Sequence, residues 1–103
     1  MKGLLNFIKR LFGVYQEGIE YYVPLNHIYV KKSFRYTRIG DKKYRNKWNF
    51  YRRNGYCESK IILNKDFVLL DGYSSYKIYR IAEGEDVKVP VYFKNELRSE
   101  MQF

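Results

Sequence analysis

Hydrophobic and polar positions change period several times along these 103 residues, and each change marks an element. Leu4, Ile8, Leu11 and Tyr15 recur at helical spacing, with Leu5, Phe7 and Phe12 beside them. Lys2, Asn6, Lys9 and Arg10 take the other positions, which predicts a short amphipathic helix ending near Gly13. From Glu20 to Val30, "EYYVPLNHIYV" surrounds Pro24 with β-branched and aromatic residues, predicting a strand, a turn and a second extended piece. In the next segment Tyr44, Trp48 and Tyr51 fall at i, i+4 and i+7, one aromatic stripe of a helix with Asp41 as N-cap and Gly55 just past its end. The runs "SKIILN" and "FVLL", separated by Asn64-Lys65-Asp66, predict a hairpin. Tyr73 to Glu83 follows as a helix with Ile78, Ile81 and Ala82 inward, closed by Gly84. The run "KVPVYF" is a last strand, where Pro90 requires an edge or a position that does not miss its N–H. The tail "KNELRSEMQF" reads as a short helix or a frayed end.

This order of elements predicts an α+β fold: a small mixed sheet with flanking helices, residues 19–103 forming one domain behind an N-terminal amphipathic helix in residues 1–18. An apolar fraction of 46%, with 19% aromatics, suffices for one core at this length. Apolar runs all fall short of the ~18 residues that span a bilayer. Lys9-Arg10 interrupts the first apolar stretch, which also lacks a small-x-small cleavage pattern and so is not read as a signal peptide. That first helix packs its stripe on the domain or a second copy, or rests as a cationic helix on a membrane surface. Cys57 is the single cysteine, so no intrachain disulfide or cysteine cluster forms, and a reducing cytoplasm fits.

Charge sharpens the picture. The formal balance is +9, from 20 Lys and Arg against 11 Asp and Glu. The excess is local: ten basic residues and one acid, Asp41, lie between Pro24 and Cys57, against seven basic and eight acidic from Glu58 onward. On the Asp41–Asn54 helix, Lys42, Arg45, Arg52 and Arg53 lie opposite the aromatic stripe, with Lys43 and Lys47 flanking. Charged helix faces are commonly just solvated, but they usually mix signs, and six positive charges within twelve residues with no interleaved carboxylate favour an anionic partner. Arg35 and Arg38, with Lys31 and Lys32, extend this field. The partner class is a phosphate backbone, DNA or RNA, and a protein partner stays open. His27, the only histidine, lies in a segment that offers no orienting partner for acid-base work.

One turn stands apart. An apolar strand stops at Asp71-Gly72 and a helix opens directly on Tyr73, Ser74 and Ser75. "VPLNHIYV" followed by a helix and then "SKIILNKDFVLLDGYSSYKIYRIAEGEDVKVPVYF" resembles the ParB and sulfiredoxin superfamily of small domains over roughly Tyr22 to Phe93. The resemblance implies that fold, and a nucleotide phosphate received at the turn by helix amides and neighbouring arginines. Helix N-termini carry unpaired donors and partial positive charge, so the physics is general. This sequence departs from the family at that box. ParB-like nucleotide binders carry Gly-Glu-Arg-Arg there and sulfiredoxins Gly-Cys-His-Arg, whereas this chain has Gly72-Tyr73-Ser74-Ser75. Neither sulfinic acid reduction nor a standard triphosphate clamp carries over, and no catalytic residue, metal or cofactor is assigned. Gly72 to Ser75 is either a weak phosphate site or a turn and helix cap worth ~1 kcal/mol. The readings in play are a non-catalytic nucleic-acid-binding module, an accessory protein of phage or plasmid type that binds a host protein, and, with less support, a nuclease or nucleotide hydrolase. Metal-dependent cleavage needs converging carboxylates, and the candidates are Asp71, with Asp66 and Glu58 as neighbours.

Overall fold

The computed structural model describes residues 15–36 and 38–94. The N-terminal helix expected before Gly13 and the tail after Lys94 lie outside these residues. Strand β1, Tyr21–Pro24, leads into a single 3-10 turn at Leu25–His27. Helices α1, Lys32–Arg35, and α2, Asp41–Asn54, precede the hairpin strands β2, Ile61–Leu63, and β3, Leu69–Asp71. Helix α3, Tyr73–Glu83, and strand β4, Lys88–Phe93, complete the order.

The sheet runs β1-β4-β2-β3. Strand β4 pairs antiparallel with β1 and parallel with β2, so the sheet is mixed, as the order of elements predicts. Strands β2 and β3 form the expected hairpin, with Ile62 opposite Asp71 and Leu63 opposite Leu69. Asn64 fixes the turn: its side-chain oxygen accepts the N–H groups of Asp66, at 2.8 Å, and Val68, at 3.0 Å.

Alternation along β4 buries Val89, Val91 and Phe93, which meet Val23, Ile61, Leu63 and Leu69 in one core. Tyr15 joins it, stacked on Phe93 with ring centroids 3.9 Å apart. The α2 stripe behaves as the spacing predicts: Tyr44, Trp48 and Tyr51 pack against the core, and Tyr51 meets Tyr79 of α3 edge to face at 5.9 Å.

Three details differ from the sequence reading, and Pro90 takes the second of its two predicted options, a position that does not miss its N–H. Gly40 is the cap of α2 and Asp41 its first helical residue, where a carboxylate still favours the positive end of the helix. Helix α1 is a single turn with no sequence signal. Pro90 lies in an interior strand, tolerated there by register. Amides alternate sides along a strand, and Lys94 N–H donates to Leu63, so Pro90 also faces β2. The β2 ladder begins only at Val91 opposite Ile61, one residue beyond it. Finally, α3 buries Ser74, Ser75, Ile78 and Tyr79, while Ile81 is 66% exposed and Ala82 is also outside. Its first two turns carry the burial and its last turn none.

Candidate anion-binding surfaces

Two neighbouring surfaces hold the residues that the sequence singled out. The first is the solvent side of α2. Lys42, Arg45 and Arg53 are exposed there, as is Arg52, whose guanidinium lies 5.2 Å from the centre of the Trp48 ring. Arg52 also donates to the Asn49 side-chain oxygen at 3.3 Å. The ion pairs among the described residues are Arg38 with Asp41, at 3.9 Å, and Arg80 with Glu85, at 3.6 Å; neither involves a Lys or Arg of α2. Arg38 is therefore partly offset by the one acid of its segment. Arg35, on α1, opens instead onto a hollow of about 330 Å³ with Arg80, Tyr73 and Tyr76.

The second surface is a groove of about 710 Å³ at the start of α3. Gly72, Tyr73 and Ser74 form one wall, Lys43 and Lys47 of α2 another, and Lys60 and Ile62 the floor toward β2, with Phe34 and Ile39 at the apolar end. The hairpin register brings Lys60 there, because Ile62 opposite Asp71 sets the residues before β2 beside the start of α3. Lys60 was missed in the sequence, although counting that register back from the turn would have found it. Lys47 donates to the Ser59 hydroxyl, which holds its chain across the groove. Lys77 reaches forward from the next turn of α3, its ammonium 5.2 Å from the Tyr44 ring centre and 5.5 Å from that of Tyr73.

The turn itself is occupied by its own chain. Gly72 has φ +90° and its N–H donates to the Asp71 carboxylate at 2.8 Å. The first intrahelical bond runs from Tyr76 N–H to the Gly72 carbonyl at 3.0 Å, so the amides of Tyr73, Ser74 and Ser75 precede it, and no side chain caps them. The Ser75 side chain is turned away from the groove: the residue is 2% exposed and its hydroxyl donates to the Ser59 carbonyl at 2.6 Å. Glu58 and Asp71 line the groove beside the three lysines. Asp66 lies at the far end of the hairpin, in the Asn64 turn, and does not converge with them. Among the described residues no three His, Cys, Asp or Glu side chains are grouped to hold a metal, and no helix is long and apolar enough to cross a membrane. Cys57 is buried below this region, its thiol pushed up by desolvation, and its N–H donates to the Tyr79 hydroxyl at 3.0 Å.

The architecture is that of a ParB-like N-terminal domain. Two solved structures of the pNOB8-like ParB N-domain superpose on it. One has a TM-score of 0.58 at 18% identity, over 81% of this chain and 32% of that one. The other has 0.57 at 19% identity, over 81% and 30%. The chain thus spans about a third of the length of these neighbours. No protein-family model and no curated protein matches the chain.

Proposed function

We propose that this ParB-like module is a non-catalytic attachment domain that binds nucleic-acid phosphates through the solvent face of α2. The observation that carries this reading is the uncompensated charge of that face: Lys42, Arg45, Arg52 and Arg53 are exposed, and none is paired with a carboxylate among the described residues. Such a surface gains affinity by releasing counterions from the polyanion, and it positions without reading bases. The groove at Gly72 supports a secondary phosphate contact, with Lys43 and Lys47 supplying the cationic groups that the eroded box lacks.

The experiment is titration of the full chain with an unrelated duplex across a salt series. Three to five phosphate contacts give a slope of log affinity against log salt of about −2.7 to −4.5. Replacing Arg45, Arg52 and Arg53 by alanine should flatten that slope by about 2 to 3, roughly one per cation. Affinity that ignores salt would discard the reading.

A further inference from the structure

A third hollow, of about 400 Å³, lies on the other side of the segment Glu58–Lys60 from the Gly72 groove. Its walls are the rings of Tyr22, Tyr56 and Tyr92 with Pro90, and its floor is Ile61, Cys57 and Tyr79. Tyr22 is 60% and Tyr56 54% exposed, so large aromatic surface is left in water. The placement follows from the pleat. Tyr22 is opposite Pro90 in the β1–β4 ladder, and Tyr92 lies two residues further on the same face, turned away from buried Val89 and Val91.

The polar groups here differ from those of α2. Glu20 and Glu58 line this hollow in a chain that is otherwise strongly basic. Tyr92 donates to Glu20 at 3.5 Å, and the Glu20 charge pushes the Tyr22 phenol up, keeping it a neutral donor. Glu58 has no hydrogen bond or ion pair among the described residues. Lys60, the only cation of the lining, lies with its ammonium 4.7 Å from the Tyr92 ring centre and forms part of the wall.

From this geometry we infer that the tyrosine hollow is a docking site for an extended, proline-rich peptide segment of a partner protein, with a basic residue of that segment held by Glu58. Polyproline II backbone makes no internal hydrogen bonds, so a carbonyl is free to accept from the Tyr56 hydroxyl while its pyrrolidine rings lie on the aromatic faces of Tyr22 and Tyr92. A helical apolar ligand would satisfy its own backbone and leave the Tyr56 hydroxyl and the Glu58 carboxylate desolvated without partners. Two carboxylates against one engaged lysine disfavour a phosphate backbone here. The inference is independent of the duplex reading, which rests on α2.

The test is an NMR and calorimetric titration of the full chain with two synthetic peptides, each carrying two Pro-x-x-Pro turns, one with an arginine beside them and one without. Binding should shift the resonances of Tyr22, Tyr56 and Tyr92, and Tyr22→Ala or Tyr56→Ala should weaken it at least tenfold; both side chains are exposed, so the fold persists. Glu58→Gln should weaken the arginine peptide several-fold and leave the other unchanged. Alanine at Arg45, Arg52 and Arg53 should leave peptide binding intact, and Tyr22→Ala should leave duplex binding intact, so either reading can fail alone. Absence of shifts at millimolar peptide overturns the inference. Shifts of the same tyrosines by oligothymidylate in place of the peptide also overturn it, by assigning the hollow to stacked bases.

Discussion

Gly72→Ala separates what the Gly72 turn does for the fold from what it does for a ligand. A glycine at a helix-opening turn can leave room for a phosphate. In this structure that room is filled by protein: a Cβ built on Gly72 would sit 2.3 Å from the Lys60 carbonyl oxygen, 2.8 Å from Ile61 Cα and 3.0 Å from the Lys60 carbonyl carbon. All three are backbone atoms, so no side chain can rotate to relieve the overlap. Ile61 is buried and registered against Val91, which resists displacement of the strand.

The left-handed φ of +90° alone costs a non-glycine residue ~1–2 kcal/mol. Forcing extra volume into a packed site adds ~1–3 kcal/mol. The sum, about 2–5 kcal/mol, is a large part of the ~5–15 kcal/mol that holds a domain together, and it should lower the melting temperature by at least about 10 °C. Gly55 supplies the control, because it has φ +81° with nothing within 4 Å of the added Cβ, so Gly55→Ala should cost only the ~1–2 kcal/mol of the dihedral. Urea and thermal unfolding of both variants, followed by circular dichroism at unchanged denaturant slope, measures the difference. Equal destabilisation of the two, within about 0.5 kcal/mol, would refute the claim that the β2 backbone crowds this turn.

Two further outcomes follow from the same contacts. Ser75→Ala removes the buried hydroxyl that donates to the Ser59 carbonyl and should cost ~1–3 kcal/mol in urea unfolding, while the salt slope of duplex binding stays unchanged. A change in that slope would show that Ser75 reaches the bound anion. Tyr51, which donates to Glu83 at 2.5 Å, and desolvated Tyr79 are both pushed up to about 12. Because the native state keeps these protons while the unfolded chain loses them near 10, their contribution to stability is complete below pH 10 and falls away between pH 10 and 12. Ultraviolet titration should find two late tyrosines, and Tyr51→Phe should leave one.

Much of the fold could be read from the chain because local signals and tertiary demands agreed. The Asn64 turn between two apolar runs, the α2 stripe and the Gly55 stop each reported a structure that the domain also needed. The errors arose where tertiary packing outweighed local pattern. Ile81 looked inward by its apolarity, but burial on α3 goes to Ser74, Ser75, Ile78 and Tyr79 of its first two turns, where the Ser75 hydroxyl donates to the Ser59 carbonyl, and the last turn stays outside. Pro90 admitted two placements, an edge or a position that does not miss its N–H, and the sequence could not choose between them because it does not show where a neighbouring strand begins. The candidate sites were legible as lists of residues but not as partitions. Nothing in the spacing of Lys43 and Lys47 says that they leave the solvent face of α2 for the Gly72 groove, nor that Lys60 lines it while its ammonium lies over Tyr92.

That partition bears on the proposal that a polyanion attaches through α2. In the groove Lys43 and Lys47 are offset by Glu58 and by Asp71, whose carboxylate already takes the Gly72 amide, so an entering phosphate meets a nearly neutral site with one of its donors engaged. On the outer face of α2, Lys42, Arg45, Arg52 and Arg53 have no offsetting acid among the described residues. Lys42 and Arg45, three apart on the helix, lie about 5–6 Å from one another, inside the ~8 Å screening length at physiological salt, and Arg52 and Arg53 are adjacent, so repulsion within each pair persists in the free protein. Acids interleaved at Asn46 and Asn49 would relieve that strain at no cost to the core, yet both positions carry neutral amides. Binding a phosphate backbone relieves the same repulsion, so the free energy stored in the free protein is returned on association. Differential stabilisation of this kind belongs to the outer face of α2 far more than to the Gly72 turn.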